Sequence, residues 1–329
     1  MIERIITHND FDGIVSAAIC MCVFDLENVF FAGPSKILEN RIQIFETDVV
    51  CDLPYATNCG MWFDHHEGNL NDVHLRGFDP TRIPGLFAPE KSCARVVYNY
   101  FLTKYELPED FIEMVVEADR IDSFGYQSID EWRLVTPAHI INDAIKAKWE
   151  NPRQKNRFLY QIVTGLCDSS LETVSQDKNV QKSWKSYREE EDRMLELIKE
   201  RSYIHETDPE KEILIIDLTD LKRQPFVIKN LAYLIYPEVL AVIQIQNLYQ
   251  NNVKSNVINF SMSLSIKMNN REHWKDIGEI MRSLNIGDGH SGAASGLITA
   301  DSKSDLEKTK QNTLLQIINI WKKQIQSMN

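Results

Sequence analysis

The chain has 329 residues, 43% of them apolar and 26% charged, which gives room for two domains with cores of their own and excludes fibrous and disordered classes. A net charge of −12 argues against a broad non-specific nucleic-acid surface, though not against a short oligonucleotide held by metal ions and a few cations. No apolar run approaches the ~18 residues of a membrane helix, no leader-like segment precedes the first strand, and the six cysteines form no Cys-x-x-Cys pair, so a cytoplasmic protein with free thiols and no membrane contact is expected.

The first predicted strand, Arg4 to Thr7, runs into His8-Asn9-Asp10-Phe11-Asp12-Gly13. In an extended segment His8, Asp10 and Asp12 point the same way. Gly13 permits a sharp turn, and Ile14 to Met21 is apolar almost all round, as a buried helix should be. Val49-Val50-Cys51 reads as a strand ending in Asp52, and Met61-Trp62-Phe63 as one ending in Asp64-His65-His66. Read singly, the first segment fits a polar turn with an aspartate N-cap as well as it fits a ligand set, and Asp52 fits a strand-end turn better. Read together, three strands deliver His and Asp side chains to one sheet edge, which is how a multi-carboxylate metal centre is built. The donor set suits Mn²⁺ or Mg²⁺, and also Fe or Co²⁺; Zn²⁺ on His and Asp stays open.

Further along, Ser92 to Leu102 reads as a helix capped by Ser92, with Arg95 in a surface salt bridge. Phe111 to Ser123 reads as a helix with Asp119 and Asp122 on one face, three residues apart. Residues 1–145 thus alternate strands and helices in the doubly wound pattern. Residues 146–208 are polar and helical, a connector in which Lys182 to Lys199 forms a long solvated helix. Residues 209–329 read as a smaller α/β domain. Its strands are Ile213 to Asp217, Val239 to Ile245 and Val257 to Ile266; its helices are Phe226 to Leu234 and His273 to Leu284. Near its end, Gly287, Gly289 and His290 lie in a glycine-rich run, by itself a weak signal of phosphate binding.

In order and spacing, His8 to Gly13, Asp52, Asp64-His65-His66 and an aspartate at 119 or 122 resemble the four motifs of the DHH phosphoesterase family. Gly287 to Gly296 resembles the glycine-rich loop of the DHH-associated domain, with Asp288 in place of the middle glycine. The strand Phe260 to Ile266 lacks an arginine that many relatives carry there. The resemblance implies an α/β fold of two domains, the first doubly wound on a parallel sheet, joined by the helical connector. It implies a phosphoric ester hydrolase with two Mn²⁺ ions, Mg²⁺ or Co²⁺ being alternatives. His8 and Asp10 would hold one ion, Asp12, His65 and either Asp119 or Asp122 the other, and Asp52 would bridge. His66 would contact the scissile phosphate or the leaving oxygen, Asp64 would orient His66 or a neighbouring backbone group, and Gly287, Gly289 and His290 would bind the far end of the substrate. Short oligonucleotides cut one nucleotide at a time are the favoured substrate. Polyphosphate, as for the exopolyphosphatase-like branch, and cyclic dinucleotides or pAp are the alternatives. A non-catalytic nucleotide sensor is disfavoured because it has no need of every ligand. A homodimer is compatible with the resemblance.

Overall fold

The computed structural model describes residues 1–250, 253–269 and 273–324. The chain divides into two compact units, one of Met1–Tyr126 with Arg133–Glu190 and one of Gln127–Trp132 with Glu191–Asn329.

The first unit is built on five parallel strands, β1 (Arg4–Thr7), β2 (Val29–Phe31), β3 (Asp48–Cys51), β4 (Met61–Asp64) and β5 (Gly85–Phe87), in the order β2-β1-β3-β4-β5. Its helices are α1 (Phe11–Phe24), α2 (Pro34–Leu38), α3 (Glu67–Leu75), α4 (Cys93–Leu102) and α5 (Asp110–Asp122). The short α6 (Ile129–Trp132) belongs to the other unit, and α7 (Pro137–Lys146), α8 (Pro152–Asp168) and α9 (Leu171–Ser175) complete the first. The central strands are apolar at successive positions because helices cover both faces. Ile5, Val49, Cys51 and Phe63 face the core made with α1, α4, α5, α7 and α8. Ile6, Val50 and Trp62 face the other side, against Ile37 of α2 and Val73 of α3. This is the doubly wound arrangement, and it reverses direction between β1 and β3. The carboxyl ends of those two strands are where an open α/β sheet forms its crevice; His8 follows one and Asp52 the other.

Of the segment expected as a connector, α8 and α9 lie in the first unit's core. Phe158, Leu159, Ile162, Val163 and Leu166 form one apolar stripe of α8 and are buried there. The long α10 (Lys178–Arg201) carries the chain onward, burying Tyr187, Met194 and Ile198 along an otherwise polar surface.

Among its described residues the second unit has six strands: β6 (Ser202–Ile204), β7 (Ile213–Asp217), β8 (Ala241–Gln250), β9 (Val253–Leu264), β10 (Gly287–His290) and β11 (Ala293–Thr299), in the order β10-β11-β9-β8-β7-β6. Only β7 and β8 run parallel. Between β7 and β8 comes α11 (Ala232–Ile235). After β9 come α12 (Ile266–Asn269) and α13 (Ile277–Ser283), and α14 (Lys303–Lys323) follows β11. Ile243, Ile245, Phe260, Met262 and Ile298 bury one sheet face against Ile280, Leu314, Ile317 and Trp321 of α13 and α14.

Three elements differ from the sequence reading. The helix expected over Phe226 to Leu234 is a single turn, Lys229–Leu231, followed by α11. The β-branched Val227 and Ile228 precede it, and Asn230 uses its side chain to accept from Ser263 Oγ at 2.7 Å. The helix expected from His273 starts later because Asp276 is its cap, accepting from Glu279 N at 2.8 Å. The glycine-rich segment is a hairpin of two paired strands rather than a loop.

Candidate metal centre

Each side chain of the predicted cluster sits at the carboxyl end of a strand or at a helix terminus. Thr7 closes β1, and its hydroxyl donates to Gly13 O at 2.6 Å, folding the His8–Gly13 turn back on the strand. Glycine is required at 13, since a Cβ there would lie 2.4 Å from His8 O. Asp10 caps α1 by accepting from Gly13 N at 3.0 Å. Asp12 points away from its own helix, and its two oxygens accept from Cys93 N and Ala94 N at 2.7 Å each, so α4 presents its N-terminus to this carboxylate. Asp52 has φ 58°, a left-handed conformation costing about 1–2 kcal/mol for a residue with a Cβ. Its N–H still bonds Phe63 O at 3.0 Å, so the strain serves to turn the side chain inward.

The functional atoms converge. His8 Nδ1 lies 2.6 Å from Asp10 Oδ2 and 3.4 Å from Asp52 Oδ2. His65 Nε2 lies 3.7 Å from Asp12 Oδ2, 3.7 Å from Asp52 Oδ1 and 3.4 Å from Asp122 Oδ2. Two groups suited to a cation result, His8–Asp10–Asp52 and Asp12–His65–Asp122, and a third joins Asp52 and Asp64 to both histidines of the pair. The ring of His65 is fixed from behind: its Nδ1 meets Glu90 O at 3.1 Å, a contact only a protonated Nδ1 can make, so in the neutral ring the Nε2 lone pair faces the carboxylates.

Asp64 has no exposure and accepts from His65 N at 2.8 Å, His66 N at 3.3 Å, His66 Nδ1 at 2.9 Å and Asn69 Nδ2 at 2.5 Å. It holds both histidines in place, and His66 remains half exposed beside the cluster. Nothing in the sequence singled out Asn69 or the backbone of Glu90, Cys93 and Ala94, because a backbone partner leaves no mark on residue type.

The two aspartates of α5 part company. Asp122 joins His65, whereas Asp119 accepts from Ser92 Oγ at 2.7 Å and from Arg95 Nε and Nη2 at 2.9 and 2.6 Å. Arg95 is therefore in a salt bridge, one that is largely buried. Gly287, Gly289 and His290 belong to the second unit, on the β10–β11 hairpin.

The electrostatics ask for a cation. Burial and the charges of Asp52 and Asp122 hold the Asp12 carboxyl well above the usual carboxylate range, and burial with Asp52 and Asp10 raises Asp122 to about 7. Burial alone would push the imidazoles down, but Asp10 and Asp52 raise His8 to about 11, and Asp52, Asp12 and Asp122 raise His65 to about 10. So many carboxylates in one place need protons or metal ions to coexist. Both oxygens of Asp52 and Nε2 of His65 are buried without a well-formed hydrogen bond among the described residues. Buried polar atoms left so are costly, and divalent ions with oxygen and imidazole ligands fit them.

No protein-family model and no curated protein matches the chain. Solved structures do. One is a pGpG-specific phosphodiesterase, PggH, of Vibrio cholerae, with a TM-score of 0.69 and 22% identity over 96% of this chain and 99% of that one. Another is the DHH domain of a protein assigned to a family of ribosomal proteins, with a TM-score of 0.60 and 13% identity over 96% of this chain and 86% of that one. The fold is that of the DHH-domain proteins. In that DHH fold the His8, Asp52 and Asp64-His65-His66 segments occupy neighbouring strand ends, which is why residues far apart in sequence meet. Among the described residues no helix is long and apolar enough to cross a membrane.

Proposed function

We propose that the chain is a Mn²⁺-dependent phosphodiesterase that hydrolyses linear dinucleotides and short oligonucleotides. The observation that carries this is the convergence of His8, Asp10, Asp12, Asp52, His65 and Asp122, with buried Asp52 and His65 ligand atoms that make no well-formed hydrogen bond among the described residues. His8 and Asp10 would hold one ion, Asp12, His65 and Asp122 a second, and Asp52 would serve both. Ions there would acidify a water and neutralise phosphoryl oxygens, the chemistry of a two-metal phosphoesterase. The chain's own groups do the rest. Asp64 holds the His66 ring by Nδ1, leaving Nε2 on the open side to contact the scissile phosphate or the leaving oxygen. The α4 N-terminus fixes Asp12, and Glu90 O fixes the His65 tautomer.

The fold shared with a pGpG-specific phosphodiesterase makes a linear dinucleotide the first substrate to try. A net charge of −12 argues against a broad basic surface and so favours a short one. The test is a panel assayed with Mn²⁺: linear dinucleotides, longer oligonucleotides, pAp, cyclic dinucleotides and polyphosphate. Cleavage of linear dinucleotides at the highest kcat/KM is expected. Turnover of polyphosphate alone would overturn this reading.

A further inference from the structure

Asp12, His65 and Asp122 make up the group suited to the second ion, and they are not held alike. Both oxygens of Asp12 accept from amides at the start of α4, and Nδ1 of His65 is fixed by Glu90 O. Asp122 takes no hydrogen bond among the described residues and meets His65 Nε2 at 3.4 Å. It is the last residue of α5, where a helix leaves its final carbonyls without internal partners and frays. A ligand in that place needs its backbone held by something else.

Asp119 lies one turn earlier on the same helical face. Its Oδ1 accepts from Ser92 Oγ at 2.7 Å, and its Oδ2 accepts from Arg95 Nε and Nη2 at 2.9 and 2.6 Å. Ser92 caps α4 by accepting from Arg95 N at 3.1 Å, so Asp119 is tied to the turn whose Cys93 and Ala94 amides grip Asp12. On its own helix, the Asp119 carbonyl accepts from Ser123 N at 3.3 Å and from Ser123 Oγ at 2.6 Å, which closes the turn carrying Asp122. The two helices also pack together, with Val97, Phe101, Met114 and Ala118 buried. Apolar packing is non-directional, whereas a two-pronged arginine–carboxylate pair fixes distance and orientation. A chain of bonds therefore runs from Asp12 through the α4 N-terminus and Asp119 to the turn of Asp122, all of it within the first unit.

We infer that Ser92, Arg95 and Asp119 form a positioning clamp that fixes the spacing of Asp12 and Asp122, and with it the affinity for the second ion. Asp119 is then a positioning residue that acts on the ion through Asp122. The inference rests on the two-ion reading of the site and does not depend on which phosphoester is cleaved.

The experiment is Mn²⁺ titration calorimetry of the chelated full chain, with thermal melts of the same samples, for the wild type, Asp119→Ala, Arg95→Lys and the double variant Arg95→Met/Asp119→Leu. The double variant removes both charges at once and replaces a part-buried pair by apolar side chains, a change that is often neutral or stabilising. It recovers the melting temperature lost in Asp119→Ala and leaves no unpaired charge to act on the ion. Two ions bind throughout. One binds as in the wild type, and the other binds about tenfold or more weakly in Asp119→Ala and in the double variant, the loss typical of groups that orient metal ligands. Arg95→Lys, which keeps the charge without the two-pronged bond, lies between these and the wild type. A salt bridge that only stabilised the fold would return the second affinity together with the melting temperature, and that result overturns the inference. So do unchanged affinities in Asp119→Ala, or equal weakening of both ions. The two proposals fail separately. Dinucleotide cleavage with both affinities unchanged in the variants removes the clamp alone. A weakened second ion without dinucleotide turnover removes the substrate reading and leaves the clamp.

Discussion

Replacing Asp119 and Asp122 in turn should have opposite consequences, although the two lie one helical turn apart. Asp119 takes three hydrogen bonds, two of them from Arg95, and the paired side chains are 16% and 19% exposed. Asp119→Ala leaves a guanidinium largely buried without its partner. Discounted for the remaining exposure, the loss is about 2–3 kcal/mol, which lowers the melting temperature of the first unit by roughly 4–12 °C. The metal ligands remain, so both ions should still bind. Asp122 is the reverse. Its folded pKa is raised to about 7, above the ordinary carboxylate value, by burial and the neighbouring Asp52 and Asp10. A raised carboxylate penalises the fold once ionised: the penalty is absent below about pH 4 and complete above about pH 7. Asp122→Asn should therefore stabilise the chelated protein at pH 8 by about 1 kcal/mol after solvent screening, with no gain near pH 4, while losing one ion. Melts of chelated protein at the two pH values, paired with Mn²⁺ titration calorimetry, check both halves. Asp119→Ala losing an ion while Asp122→Asn keeps two would refute the assignment.

Gly13→Ala should disrupt the His8 turn, because the new Cβ would sit 2.4 Å from His8 O; weakened Mn²⁺ binding together with a lower melting temperature is the expected pair of results. Since His8 and His65 titrate at about 11 and about 10 without metal, ions must displace protons from both. Apparent Mn²⁺ affinity should rise with pH between 6 and 9, by about tenfold per unit for each proton displaced; calorimetry at several pH values that finds a flat profile contradicts the ligand set. In the metal-free chain the same raised values give stability that is fully present below about pH 6.5 and is lost as pH rises through 10 to 11; denaturant titrations of chelated protein should show that fall. His290→Ala should lower kcat/KM for a dinucleotide more than for bis-p-nitrophenyl phosphate, as loss of remote binding does; an equal fall on both would place His290 elsewhere.

Much of the first unit was legible because its signals are local. Apolar runs ending in His8, Asp52 and Asp64 read as strands, and Gly13 read as the turn between a strand and a helix. The ambiguity between Asp119 and Asp122 was not resolvable from spacing, since both lie on one helical face; what separates them is the distant Arg95. The roles of α8 and α9 were hidden for a related reason. Their polar composition reads as solvated, and only the α8 stripe from Phe158 to Leu166 shows that one side is buried. In the second unit, the late start of α13 followed from Asp276 acting as a cap, a signal present in the sequence.

The most direct test of the metal-centre account is Asp52→Ala, read by Mn²⁺ titration and by dinucleotide turnover on the same sample. Asp52 has its two oxygens directed at both ligand groups. The wild type should bind two ions per chain, and the variant should bind neither tightly and lose at least about a hundredfold in rate. Two ions bound with unchanged affinity in Asp52→Ala would contradict the account.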